Sequence, residues 1–88
     1  MNIRFRTSFT KDIRKIKSKQ ILRQVKTAIQ AIELSQQLNE VPNLKKLKGI
    51  NDYYRIRIGE FRIGLTINNN VITLIRCLNR KEIYRYFP

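Results

Sequence analysis

From residue 53 to 64, YYRIRIGEFRIG, apolar and basic residues alternate with period two, the pattern of half-buried β-strands. Tyr54, Ile56 and Ile58 share one face, and Tyr53, Arg55 and Arg57 share the other. After Gly59 and Glu60 the alternation resumes, with Phe61 and Ile63 on one face and Arg62 and Gly64 on the other. A two-residue loop at Gly59-Glu60 predicts a hairpin with Ile58 opposite Phe61, Arg57 opposite Arg62, Ile56 opposite Ile63 and Arg55 opposite Gly64. Glycine at the first loop position suits a type II′ turn, because it accepts positive φ. This register pairs apolar residues on one face. On the other it sets two arginines against each other, which destabilises a sheet unless an anion sits above them. Gly64 leaves room for a close approach beside Arg55. A solvated basic face with no ligand is the bland reading of the same residues.

The flanking patterns complete the fold. Ile3 and Phe5 alternate with Arg4 and Arg6 in a strand over residues 2–6. Ser8 or Thr10 is expected to cap a helix carrying Phe9, Ile13 and Ile16, with Asp12 in its first turn. Lys17-Ser18-Lys19 marks a break. A second helix is expected over residues 20–38, with Ile21, Val25, Ala28, Ile29 and Ile32 as its apolar stripe. Residues 42–49 fit one helical turn or an ordered loop, with Lys45, Lys46 and Lys48 projecting outward. Residues 68–70, three asparagines, form a turn before a last strand over 71–78. A two-residue loop there would place Arg76 beside Ile63 in the core, where an unpaired guanidinium is costly. A three-residue loop is therefore expected, pairing Ile67 with Val71 and Arg62 with Arg76. It lines up Arg57, Arg62 and Arg76 in one row that Arg80 extends. It also leaves Ile72 and Leu74 on the same open face, in need of a cover, for which a partner segment is one option. The order β-α-α-β-β-β gives an α+β fold: a two-helix hairpin packed on one face of a mostly antiparallel four-stranded sheet, in a single domain over residues 1–88.

Charge narrows the function. The chain has 19 Lys+Arg against 6 Asp+Glu, a net charge of +13, which attracts polyanions. Nucleic acid comes first among them, and an acidic protein satisfies the same field. Hydrophobic residues at 42% are too many for a disordered basic tail. Cys77 is the one cysteine, so no internal disulfide can form, which fits a reducing, cytoplasmic setting. It lies in an apolar run and reads as a small core residue. The chain has no histidine, which removes thiol–imidazole pairs and the usual catalytic zinc sets. No apolar run approaches the ~20 residues that span a bilayer, and the N-terminus lacks a signal peptide's apolar core. No membrane partner, metal or cofactor is expected.

Residues 44–67, LKKLKGINDYYRIRIGEFRIGLTI, and 78–88, LNRKEIYRYFP, resemble the RelE/ParE superfamily of type II toxins, and its RelE-like and HigB-like ribonucleases in particular. The shared features are a leucine-x-glycine, a strand with two alternating basic residues, a strand beginning glycine-x-aromatic-arginine, and a terminal arginine followed by tyrosine. The resemblance implies a toxin that cleaves messenger RNA on the ribosome without a metal and is held in a hetero-oligomer by a cognate acidic antitoxin. It assigns catalysis to Arg55, Arg57, Arg62 and Arg80, with the terminal tyrosine at Tyr84 or Tyr86. Lys45, Lys46, Lys48, Arg76, Lys81 and Arg85 become the surrounding RNA contacts, to messenger or ribosomal RNA. Two departures weaken the proton chemistry: Asn79 stands where many relatives have histidine, and Arg55 and Arg57 stand where RelE has lysines. Glu82 is available as a carboxylate, although its ordinary role is solvated. Two other readings compete: a ParE-like inhibitor of DNA gyrase that cleaves nothing, and a non-enzymatic RNA-binding domain.

Overall fold

The computed structural model describes residues 1–88. Strand β1 (Asn2–Phe5) leads into helices α1 (Thr7–Lys15) and α2 (Lys19–Leu34). Strands β2 (Leu44–Lys46), β3 (Tyr53–Ile58), β4 (Phe61–Asn68) and β5 (Val71–Asn79) follow, and then the short helix α3 (Ile83–Tyr86). The strands form one sheet in the order β1-β5-β4-β3-β2, antiparallel except where β1 runs parallel to β5. The α+β class holds, with five strands rather than four. The additional strand is β2, within the segment expected to be a helical turn or loop. Leu44, Lys45 and Lys46 pair with Ile56, Arg55 and Tyr54 and cover what would otherwise be an open edge of β3. Three residues are too few for alternation to reveal a strand.

The β3–β4 hairpin has the expected register at every pair, and Gly59 has φ +54° at the turn. The β4–β5 hairpin does not. Its loop is the two residues Asn69 and Asn70, both with positive φ (51° and 63°), which fits a type I′ turn. Asn68 then pairs with Val71, Ile67 with Ile72 and Leu65 with Leu74. This phase brings Ile72 and Leu74 into the core, where both are fully buried, so no partner segment is needed to cover them. The threat to Arg76 is removed by a bulge. Between Gly64 and Leu65 the register shifts by one residue, so Arg76 lies opposite Gly64 on the open face and Cys77 opposite Ile63 in the core. The expected opposition of Arg62 and Arg76 is therefore replaced by Arg62 against Leu78.

The helices cover the other face. Phe9 from α1, Ile16 just past its end, and Val25 and Ile32 from α2 join Ile56, Ile58, Ile63, Leu65, Ile72, Leu74 and Cys77 in one buried cluster. Neither Ser8 nor Thr10 caps α1; its N-cap is Arg6, with no side-chain bond. The Ser8 hydroxyl instead donates to the Ile75 carbonyl (2.5 Å), and the Asp12 carboxylate accepts from the Cys77 amide (3.0 Å). Asp12 thus points at the sheet and not at the helix end. Together these side chains cap the backbone edge of β5 that β1 leaves unpaired past Phe5. Ser18 caps α2, its hydroxyl accepting from the Ile21 amide. Helix α2 stops at Leu34, four residues early, where Ser35 turns extended and Glu40 accepts from the amides of Gln36 and Gln37. No helix is long and apolar enough to cross a membrane.

Candidate nucleic-acid interface

The core residues of β3 and β4 force Arg55, Arg57 and Arg62 outward together, because successive side chains point to opposite faces. Across β2 to β5, one line of opposed residues reads Lys45, Arg55, Gly64, Arg76, and the next reads Arg57, Arg62, Leu78. Asn43, Leu44, Lys45, Arg55, Arg57 and Arg62 line a recess of about 240 Å3. The opposition of Arg57 and Arg62 is eased by the turn itself. Arg62 Nη1 donates to the carbonyls of Gly59 (2.7 Å) and Phe61 (2.8 Å). Guanidinium has five N–H donors, so Nε and Nη2 stay free for an oxyanion. Arg57 is exposed and its side chain makes no ion pair.

The close approach that Gly64 permits is made by the chain's own tail. A Cβ on Gly64 would lie 2.6 Å from the Phe87 ring, and Phe87 also packs on Tyr53 with ring centroids 5.5 Å apart. Phe87 and Ile83 are buried, which pins the tail to the sheet. The two tyrosines then separate in role. Tyr84 accepts a hydrogen bond from Arg55 Nη1, and the Arg55 guanidinium lies over its ring at 5.9 Å. Tyr86 lies 5.3 Å from the guanidinium of Arg76 instead. Tyr84 is thus the tyrosine brought to the arginine recess.

The other sequence-derived candidates are spread more widely. Arg76 is held by Asp12, with Nε to Oδ2 at 2.7 Å and Nη2 to Oδ1 at 3.0 Å. These hydrogen bonds raise its pKa above the usual arginine value and leave little of it for RNA. Arg80 pairs with Glu60 at the hairpin tip (3.0 Å), where both side chains are more than half exposed. Such a pair is weak and opens readily to a phosphate. Glu82 lines a different recess, with Asp12, Arg76 and Tyr86, and is not among the residues around the arginine recess. Lys46 and Lys48 face outward beside Gly49 and Ile50, and Lys81 and Arg85 are exposed around α3. Asp12 and Phe87 were absent from the sequence-derived set. Asp12 carried a signal, since it is the sole carboxylate before Glu33 and stands among apolar helix positions.

The profile of the family described as ParE toxin of type II toxin-antitoxin system, parDE, matches residues 3–84. Toxin RelE3 of Methanocaldococcus jannaschii is 39% identical over 89 residues, covering the whole of both chains. The fold superposes on the RelB-RelE antitoxin-toxin complex from Methanococcus jannaschii with a TM-score of 0.83 at 39% identity, over 97% of this chain and 99% of that one. The YoeB dimer from Staphylococcus aureus shares the fold at 24% identity, with a TM-score of 0.73 over 91% and 97% of the chains. A profile spanning nearly the full sequence and a relative of this identity along its whole length lead to one conclusion: the chain belongs to the RelE/ParE superfamily of type II toxin-antitoxin toxins.

Proposed function

We propose that this toxin is an endoribonuclease that cleaves messenger RNA on the ribosome and is neutralised by an acidic antitoxin. The observation that carries the reading is the recess itself: Lys45, Arg55, Arg57 and Arg62 around one hollow, with the Tyr84 hydroxyl on Arg55. In the proposed step a ribose 2′-oxygen attacks the adjacent phosphorus. The P–O2′ bond forms, the P–O5′ bond breaks, and the products are a 2′,3′-cyclic phosphate and a 5′-hydroxyl. Negative charge builds on the phosphoryl oxygens, and the free N–H groups of Arg57 and Arg62 stabilise it. Arg80, released from Glu60, adds a third cation. Arg55 binds a flanking phosphate and orients Tyr84, which relays a proton between the 2′- and 5′-oxygens. Arginine stays protonated near neutrality, so positioning and charge provide most of the effect, and ribosomal RNA supplies further groups.

For the partner, the net charge of +13 calls for an acidic chain, and the similar structures from Methanococcus jannaschii and Pyrococcus horikoshii are toxin-antitoxin complexes. The matched profile carries the ParE name, which keeps a gyrase-directed toxin as the second reading. Mapping 5′ ends of transcripts after induction decides between them. Codon-phased ends carrying a 5′-hydroxyl support the nuclease. Intact transcripts with inhibited supercoiling overturn it in favour of the second reading.

A further inference from the structure

A second basic surface lies outside the arginine recess. Lys11, Arg14, Lys15, Lys17, Lys19 and Arg23 run through the end of α1, the connecting turn and the start of α2. All six are exposed and none is in an ion pair. The one carboxylate in this stretch, Asp12, is buried and consumed by Arg76. Arg14 and Lys15 have a structural reason, because cations at the C-terminal end of α1 complement its dipole. Lys17 and Lys19 have the opposite effect. They flank Ser18, the N-cap of a 16-residue helix, and no acidic residue occupies the first turn. Cations at that positive end weaken the helix, so folding alone selects against them.

Lys19 adjoins Ser18 in the chain, and what Lys17 and Ser18 border gives the turn a use. Lys15, Lys17 and Ser18 form one wall of a recess of about 650 Å3, with Arg76, Asn79 and the half-exposed Tyr86 opposite. This recess adjoins the arginine recess: Arg62 lines the first, Leu78 lines the second, and the two are directly opposed across β4 and β5. We propose that the α1–α2 turn, with Lys17 and Lys19 at its centre, is a second RNA-backbone site that holds phosphates outside the cleavage recess. The proposal rests on the RNA-directed reading above. Its ligand is the phosphodiester backbone, whether from the bound messenger or from ribosomal RNA.

The test is direct binding of the purified toxin to ribosomes and to free single-stranded RNA across a salt series, measured independently of cleavage. Each lost phosphate contact removes about 0.7 units of salt slope on a single strand and about 0.9 on a duplex. The Lys17→Ala/Lys19→Ala double variant is therefore expected to lower the slope by about 1.4–1.8 units, and Lys17→Arg/Lys19→Arg to restore it. The alanine variant is also expected to melt at or above the parental temperature, which separates lost contact from lost fold. A loss on ribosomes alone supports the site with ribosomal RNA as its ligand, and a loss on both supports it with the messenger. Parental affinity and slope in the alanine variant overturn it, as does weaker binding with an unchanged slope or with a lowered melting temperature. A parent that binds RNA and cuts nothing sinks only the nuclease reading. A parent that binds neither RNA nor ribosomes sinks both.

Discussion

The Phe87 ring lies against the Cα of Gly64, so close that a single added methyl group would overlap it. That contact sets the place of the whole tail and so brings the Tyr84 hydroxyl to Arg55. Gly64→Ala is expected to displace the tail and destabilise the protein by about 1–3 kcal/mol, the usual range for overpacking. In a Phe87→Ala background the same change should cost nearly nothing. A double-mutant cycle by chemical denaturation measures this, and additive losses would show that the two residues do not constrain each other.

Arg62 and Arg80 bind their present partners at the surface, so truncating either should leave the core intact. Arg62→Ala and Arg80→Ala are each expected to reduce cleavage on programmed ribosomes by about 10²–10³-fold while melting within a few degrees of the parent. Lys45→Ala, at the rim of the recess, should weaken RNA binding and lower the salt slope by roughly one unit. Parental cleavage rates in both arginine variants would remove Arg62 and Arg80 from the mechanism and favour the gyrase-directed reading.

The two tyrosines make a paired test. Tyr84→Phe deletes the hydroxyl on Arg55 and should slow single-turnover cleavage by about 10²-fold or more if that group moves a proton. Tyr86→Phe keeps the ring beside Arg76 and should stay near the parental rate. Equal rates for the two variants would refute the distinction.

Asp12 joins α1 to the bulged strand through Arg76 and the Cys77 amide. Asp12→Ala strands a guanidinium that is only a quarter exposed, and should cost about 3 kcal/mol, or roughly 12–24 °C in Tm. Asp12→Asn keeps an acceptor for the amide and should fall between. A loss of less than ~1 kcal/mol on the same unfolding curves would mean the pair is incidental.

Burial pushes the Cys77 thiol up from 9.0 to about 12, with the Asp12 charge adding to the effect. The folded state then holds a proton that the unfolded state releases between those values. Stability from this group is complete below pH 9 and is lost as pH rises toward 12. Melting temperatures of the parent should therefore fall more steeply over that window than those of Cys77→Ala. Iodoacetamide at pH 8 should modify the thiol only after unfolding. Fast labelling of the native protein would contradict its burial.

The hairpin around Gly59 was legible in the sequence because strict alternation and one glycine leave a single register. The next hairpin was not, because burying Arg76 looked worse than lengthening the turn. The actual solution, an I′ turn at Asn69-Asn70 with a bulge directly after the Leu65–Leu74 pair, changes phase within one strand, and pattern reading assumes constant phase. Arg55, Arg57 and Arg62 followed from alternation. The choice of Tyr84 over Tyr86 did not, because it depends on where Phe87 docks. Asp12 looked like a helix-end charge because its partner lies 64 residues away.

The parallel pairing of β1 with β5, from Asn2 against Val71 to Phe5 against Leu74, also sets an order of assembly. The β3–β4–β5 meander closes through local turns, whereas β1 must return across most of the chain, and such distant pairings form slowly. Folding-rate analysis is expected to give high φ-values in the meander and low ones at Asp12 and in β1. The arginine recess then takes shape first. The lysine-rich turn is then expected to come to rest beside it only as β1 closes on β5, which makes the spacing between the two surfaces a product of that late pairing.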